Sequence, residues 1–151
     1  MSATELNLAG FTPYRLSVTT NVVSDLIARE YQSRFGLKIP EWRVMAVLGE
    51  GKARTQRDLV DATHMDKVTV NRATKALVDR RLLTRTPSAS DGRSHHLELS
   101  ETGRALYDQI VPTALAMEAR VLSVLNDEER ATLLRLLDKI QSSAEYAAER
   151  M

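Results

Sequence analysis

The sequence predicts a mainly α-helical chain with one β-hairpin, and three observations carry that prediction. Residues that can line one helix face recur at three- and four-residue steps, as in Leu16, Thr20, Val23, Ile27 and Tyr31. That period gives way once, between Leu82 and Leu99, where two short strand-like runs flank the turn-forming stretch Pro87-Ser88-Ala89-Ser90-Asp91-Gly92. The six glycines and four prolines fall mostly where the pattern changes.

Taken in order, Pro13 opens the first helix, because a missing N–H costs nothing in a first turn, and Gly36 ends it. Pro40 starts the second helix, with Trp42, Met45, Val47 and Leu48 available for burial, and Gly49 and Gly51 stop it. Thr55, with Asp58 three residues on, is an N-cap signal for a short helix from Gln56 to about Thr63. Asp66 can cap a fourth helix reaching about Arg81. Leu82–Thr86 and Ser94–Leu99 form the hairpin. Ser100 or Thr102 can cap a long fifth helix with Leu106, Ile110, Thr113, Met117, Val121 and Leu125 on one stripe. Pro112 lies inside that stripe and should kink it, since it removes one backbone hydrogen bond. Asn126 and Glu129 make a capping-box start to a sixth helix bearing Leu133, Leu134, Leu136, Leu137 and Ile140.

Composition narrows the function. The chain has 151 residues, 43% hydrophobic and 27% charged, which is ordinary globular usage and enough for a core. It contains no cysteine, which excludes a disulfide scaffold, thiolate metal sites, a cysteine nucleophile and thiol-oxidation sensing. No run approaches the ~18 apolar residues of a membrane span, and the N-terminus lacks a signal-peptide pattern, so a cytoplasmic location with no membrane association is expected. No Gly-rich phosphate loop or catalytic motif is present; neither an enzyme nor a cofactor is expected. His95 and His96 are adjacent in a strand and point to opposite faces, so they cannot chelate one ion, and no metal is expected.

The net charge of +1 conceals an uneven distribution. Residues 52–104 carry eleven basic and seven acidic side chains, whereas residues 105–151 carry five and eight. A basic centre suggests an anionic partner. The order helix, short helix, helix, basic hairpin is that of a winged helix-turn-helix, whose second helix docks in a DNA major groove. At 100° per residue, Val70, Ala73, Thr74 and Leu77 share the inner face of the fourth helix. The outer side carries Val68, Arg72 and Lys75, flanked by Thr69, Asn71 and Ala76. Asn71 can pair with adenine and Arg72 with guanine, Lys75 suits phosphate, and Val68 can meet a thymine methyl. Arg85 and Arg93 bracket a turn containing Asp91, whose carboxylate can orient an arginine for a narrow minor groove. With Thr55, Gln56 and Lys67 added, these residues form the expected DNA-binding set.

Asp91-Gly92-Arg93, the alternating strand His95–Leu99 and the stretch Ser100-Glu101-Thr102-Gly103 resemble the wing signature of the multiple antibiotic resistance regulator (MarR) family. That signature is Asp-x-Arg, an alternating strand, then Thr-x-x-Gly opening a helix. Upstream, Lys67–Arg72 and Leu77–Leu83 resemble its recognition helix and exit. The resemblance spans about residues 13–145. It implies a homodimeric, double-stranded-DNA-binding regulator of transcription; repression from a palindromic operator is the expected mode, with the sign of regulation not set by the sequence. It also implies a dimer formed by the terminal helices, residues 1–36 and 100–151, around a winged domain at 37–99. The family often has glycine at the recognition-helix exit, where this chain has Arg81, so the exit must be strained or built differently.

The leucine-rich terminal helices are more than a winged domain can cover, which independently favours a symmetric dimer presenting two recognition helices roughly 34 Å apart. A small non-covalent effector, such as an aromatic acid or a phenol, is an expected further partner. Tyr31 and Trp42 border the slot that the resemblance implies, and Arg15 and Arg43 could receive a carboxylate. The same aromatics also suit a plain core. An alternative function is a winged helix that docks on another protein without reading DNA.

Overall fold

The computed structural model describes residues 5–87 and 95–151. Asp91 and Arg93, two of the expected DNA-binding residues, lie outside that range. Six helices and one two-stranded antiparallel sheet are found among the described residues. They are α1 (Thr12–Phe35), α2 (Ile39–Gly49), α3 (Gln56–Thr63), α4 (Lys67–Asp79), β1 (Leu83–Pro87), β2 (His95–Leu99), α5 (Glu101–Val121) and α6 (Asp127–Glu149). A 3₁₀ turn at Leu8–Gly10, which the helical periodicity does not anticipate, precedes α1; its start is capped by the Asn7 side chain.

The chain divides into two compact units, residues 1–114 and 115–151. The first holds the core. Tyr31, Leu37, Val44, Met45, Leu48, Leu59, Val70, Ala73, Leu77, Leu82, Leu83, Leu97 and Ile110 form one buried cluster. All four residues assigned from periodicity to the inner face of α4 are buried there, and Thr74 is fully buried among apolar neighbours. The second unit is α6 with its approach. Asn126 and Glu129 form the expected capping box, with donor–acceptor distances of 2.9 and 2.8 Å. Leu125, expected on the α5 stripe, falls outside that helix: α5 ends at Val121 and a 3₁₀ turn at Leu122–Val124 intervenes. Pro112 sits inside α5 without ending it.

On β1 the strand starts and ends one residue later than the sequence suggests, and the pairing sets Leu83 opposite Leu99 and Pro87 opposite His95. A third extended residue joins it. Arg54, just before α3, exchanges backbone hydrogen bonds of 2.9 and 2.7 Å with Leu97, which fastens the start of the helix-turn-helix to the sheet. Local patterning misses this, because a single paired residue has no periodicity.

The exit of α4 shows how the chain manages without glycine. Leu82 N–H reaches back to Leu77 C=O and Arg81 N–H to Val78 C=O, both at 2.9 Å, which is the double closure of a Schellman motif. Arg81 holds the left-handed position of that motif at φ 60. Its carbonyl accepts the Ser100 hydroxyl at 2.7 Å. The motif is therefore intact but strained, and Arg81→Gly should raise stability by about 1 kcal/mol by removing the Cβ from a left-handed residue. A melting temperature up by a few degrees is the expected result; an unchanged or lower value would show that the arginine side chain compensates for the strain.

Candidate nucleic-acid interface

The helix-turn-helix is set by its caps. Thr55 and Asp58 form a reciprocal box: Asp58 N–H donates to Thr55 Oγ1 at 3.1 Å, and Thr55 N–H donates to Asp58 Oδ2 at 3.0 Å. The bond from the Thr55 backbone holds the Asp58 carboxyl below its ordinary range; partial desolvation opposes this, and Arg54 and His96 add to the lowering. His64 ends α3 in the left-handed conformation, at φ 56. Asp66 then caps α4, accepting from Thr69 N–H at 2.7 Å and from the Thr69 hydroxyl at 2.9 Å. The Thr69 backbone bond again comes first in lowering the Asp66 carboxyl. Both carboxylates are thus held ionised at helix N-termini, where negative charge is favoured.

Across the turn, the Gln56 side-chain amide donates to Thr74 Oγ1 at 2.6 Å, and the Thr74 hydroxyl in turn donates to Asn71 C=O at 3.1 Å. This chain of bonds ties α3 to the inner face of α4. Gln56, expected at the DNA surface, is turned inward, and its Oε1 is buried without a protein partner. Thr55 is half-buried and occupied by its cap. Lys67, Val68, Asn71, Arg72 and Lys75 are exposed on the far side of α4, with Thr69 half-buried at its edge.

That outer side divides into two ridges. Lys67, Asn71 and Lys75, at four-residue steps, line a cleft of about 1190 Å³ that also meets Thr55 at the cap of α3, Gln56 and Arg57 on α3, and Arg85 and His95 on the hairpin. Val68 and Arg72 are not among its lining residues and form a second ridge beside it. Val68, 58% exposed, is the apolar member of that ridge. Arg57 and His95 were not in the set read from the sequence. Arg57 is signalled only by following Gln56 in the first turn of α3, and His95 faces the cleft through pairing that the strand pattern alone does not specify. Arg85 is exposed on β1.

The four effector residues are placed less closely. Tyr31 is buried, and burial raises its hydroxyl above the usual value. Its ring meets Trp42 at 5.0 Å, and Trp42 stacks on Tyr107 at 6.1 Å, so Tyr31 and Trp42 do come together, joined by an aromatic from α5. Arg104 lies 5.4 Å from the Tyr107 ring while donating to Gly49 C=O at 3.0 Å. Arg43 is exposed on α2 beside Trp42. Arg15 is exposed near the start of α1, roughly 24 Å along the helix axis from Tyr31 at 1.5 Å per residue.

Comparison with known proteins agrees with this architecture. The MarR family profile matches residues 35–94. The HTH-type transcriptional repressor NicR of Pseudomonas putida is 29% identical over 146 residues, covering 90% of each chain. The crystal structure of a MarR family transcriptional regulator from Silicibacter pomeroyi is 30% identical, with a TM-score of 0.75 over 90% of this chain and 99% of that one. Bordetella bronchiseptica BpsR, whose DNA binding is regulated by 6-hydroxynicotinic acid, shares the fold at 24% identity and a TM-score of 0.82, over 91% and 97% of the two chains. These relatives are transcriptional regulators, not enzymes. No helix among the described residues is long and apolar enough to cross a membrane. A winged helix-turn-helix with a basic outer face on α4, matched along nearly its whole length by such proteins, identifies the chain as a transcriptional regulator of the MarR family.

Proposed function

We propose that the protein is a homodimeric repressor that binds a palindromic double-stranded operator through α4 and the hairpin and is released by a small non-covalent aromatic effector. The outer side of α4 carries the reading. It exposes Val68, Arg72 and Lys75 opposite the buried Val70, Ala73, Thr74 and Leu77, with Lys67 and Asn71 exposed at its flank. Base-edge donors, a methyl-contacting residue and phosphate-binding cations then share one groove-sized surface. Asp91 and Arg93 enter this reading from their sequence pattern, with Arg85 beside them on β1. Dimerisation is supported within each unit separately. Leu6, Leu8, Phe11, Tyr14 and Leu16 are exposed at the N-terminal end, as are Leu133, Leu134, Leu136, Leu137 and Ile140 on α6. Apolar surface on that scale favours a partner. The division into terminal dimer helices and a winged domain at 37–99 belongs to the same proposal.

For the effector, Tyr31, Trp42 and Arg43 supply ring stacking and a cation in one neighbourhood. Arg15 lies too far along α1 to grip the same small molecule from the same chain, so a pocket containing both draws them from different copies. BpsR, regulated by 6-hydroxynicotinic acid, supports an aromatic acid as the class. With no cysteine in the chain, the signal does not pass through a thiol.

Selection from random double-stranded DNA tests the reading. Enrichment of an inverted repeat is expected, and no enrichment would favour a protein-docking winged helix instead. Arg72→Ala should cost roughly 1–3 kcal/mol on the selected site and relax preference at one base pair per half-site. Unchanged affinity and preference would remove Arg72 from base reading. Adding 6-hydroxynicotinic acid to the same binding assay should release the DNA; unaltered binding would exclude that acid as the effector.

A further inference from the structure

The last turn of α1 is fastened from two directions by arginines. Arg34 donates from that turn to Thr113 Oγ1 on α5 at 3.1 Å. Arg80, the residue that ends α4, reaches the other way: its Nη1 donates to Gly36 C=O at 3.1 Å and its Nη2 to Phe35 C=O at 3.2 Å. Phe35 and Gly36 close α1, Gly36 in the left-handed conformation at φ 63, and their carbonyls lie at the negative end of a 24-residue helix. A planar guanidinium can serve two such carbonyls in parallel, which a lysine ammonium cannot do with the same geometry. The fork therefore joins the end of the proposed dimer helix directly to the end of the proposed reading helix.

We propose that Arg80 is a positioning residue that sets the angle at which α4 is presented, and through it the spacing between operator half-sites. The inference rests on the DNA-binding reading above. The lever is simple. At 1.5 Å per residue, the 13 residues of α4 put its first turn roughly 20 Å from Arg80. A tilt of about 5° about that end moves Lys67 by roughly 1.7 Å, and the same movement in both copies of a dimer sums to about 3.4 Å, close to one base-pair step. Arg80 makes these bonds from an exposed position, so it adds direction to the α1–α4 junction without supplying core packing.

The test is selection from random DNA with the full-length wild type and R80K, together with melting curves and salt titrations. R80K keeps the charge and loses the fork. The expected result is the wild-type base preference within each half-site, acceptance of spacings one base pair off the optimum, and about tenfold weaker binding at that optimum. The slope of log affinity against log salt should stay the same, because no phosphate contact is removed. R80K with wild-type spacing preference overturns the positioning role. In R80Q, which removes the charge as well as the fork, a slope reduced by roughly 0.9 per copy overturns it too, by making Arg80 a phosphate contact. An R80K that does not fold reduces Arg80 to a purely structural part. A wild type that enriches no DNA is distinguishable from all of these, and removes the DNA reading together with this role.

Discussion

Raising salt from about 50 to 200 mM should weaken operator binding by ~10³-fold or more. Lys67, Arg72 and Lys75 on α4, Arg57 on α3 and Arg85 on β1 are exposed in one protomer. Three phosphates neutralised by each copy of a dimer make six, and six give a slope near −5 in log affinity against log salt. A fourfold change in salt then costs about three decades. Asp61 and Asp79 share the cleft, but Arg57, Lys67, Lys75 and Arg85 outnumber them. Asp58 and Asp66 are committed to helix caps, and their lowered proton affinity reflects bonds to backbone N–H groups at those caps. Retardation assays across that salt range decide the matter. A slope shallower than about −2 would mean that the basic face is not meeting a phosphate backbone.

Gly103→Ala should be the most damaging small substitution in the chain. A Cβ at Gly103 would lie 1.9 Å from the Leu82 carbonyl oxygen and 2.9 Å from its carbon. Those atoms are backbone, and they are held: Leu82 C=O accepts Ser100 N–H at 3.0 Å, while the Ser100 hydroxyl caps α5 by accepting Gly103 N–H at 2.9 Å. The Leu82 side chain is itself in the core. Relief would require moving the start of α5, the exit of α4 or the first pair of the hairpin, so a loss of about 3 kcal/mol or more is expected. In a chain of this length that lowers the melting temperature by roughly 10 °C, measured at one protein concentration because the stability of the proposed dimer would depend on it. Gly10→Ala is the matched control, since a Cβ there meets nothing within 4 Å. Equal melting temperatures for the two variants would show that the α4–α5 junction yields easily. Gly49→Ala should fall between them: its Cβ would strike the Tyr107 ring at 2.3 Å, and a side chain can rotate away at the expense of its stack on Trp42.

The Ser100–Gly103 pair also shows what was legible beforehand. The resemblance to Thr-x-x-Gly is carried here with Ser100 in the threonine place, and the hydroxyl does the expected capping. The reason glycine follows three residues later cannot be read from α5 itself; it lies in Leu82, 21 positions earlier in the sequence. The caps at Thr55, Asp66 and Asn126 and the inner face of α4 were legible for the opposite reason. Each depends on neighbours within four residues along one helix, and helical geometry fixes where those neighbours stand. The site divides in the same way. Helical period alone placed Val68, Asn71, Arg72 and Lys75 outside. It could not show Gln56 drawn inward to Thr74, Arg57 and His95 on the cleft, or Arg15 distant from Tyr31.

From the sequence by itself came the mainly helical class, the positions of helix starts, the buried and exposed faces of α4 and the absence of thiol chemistry. All of these follow from local spacing, capping side chains or composition. Tertiary structure alone decided three others: the left-handed Arg81 with its carbonyl tied to Ser100, the pairing of Arg54 with Leu97, and the fork from Arg80 to the end of α1. Each joins residues at least 19 positions apart. Contacts of that kind leave no period in the sequence, because what brings the partners together is burial of the core beneath them.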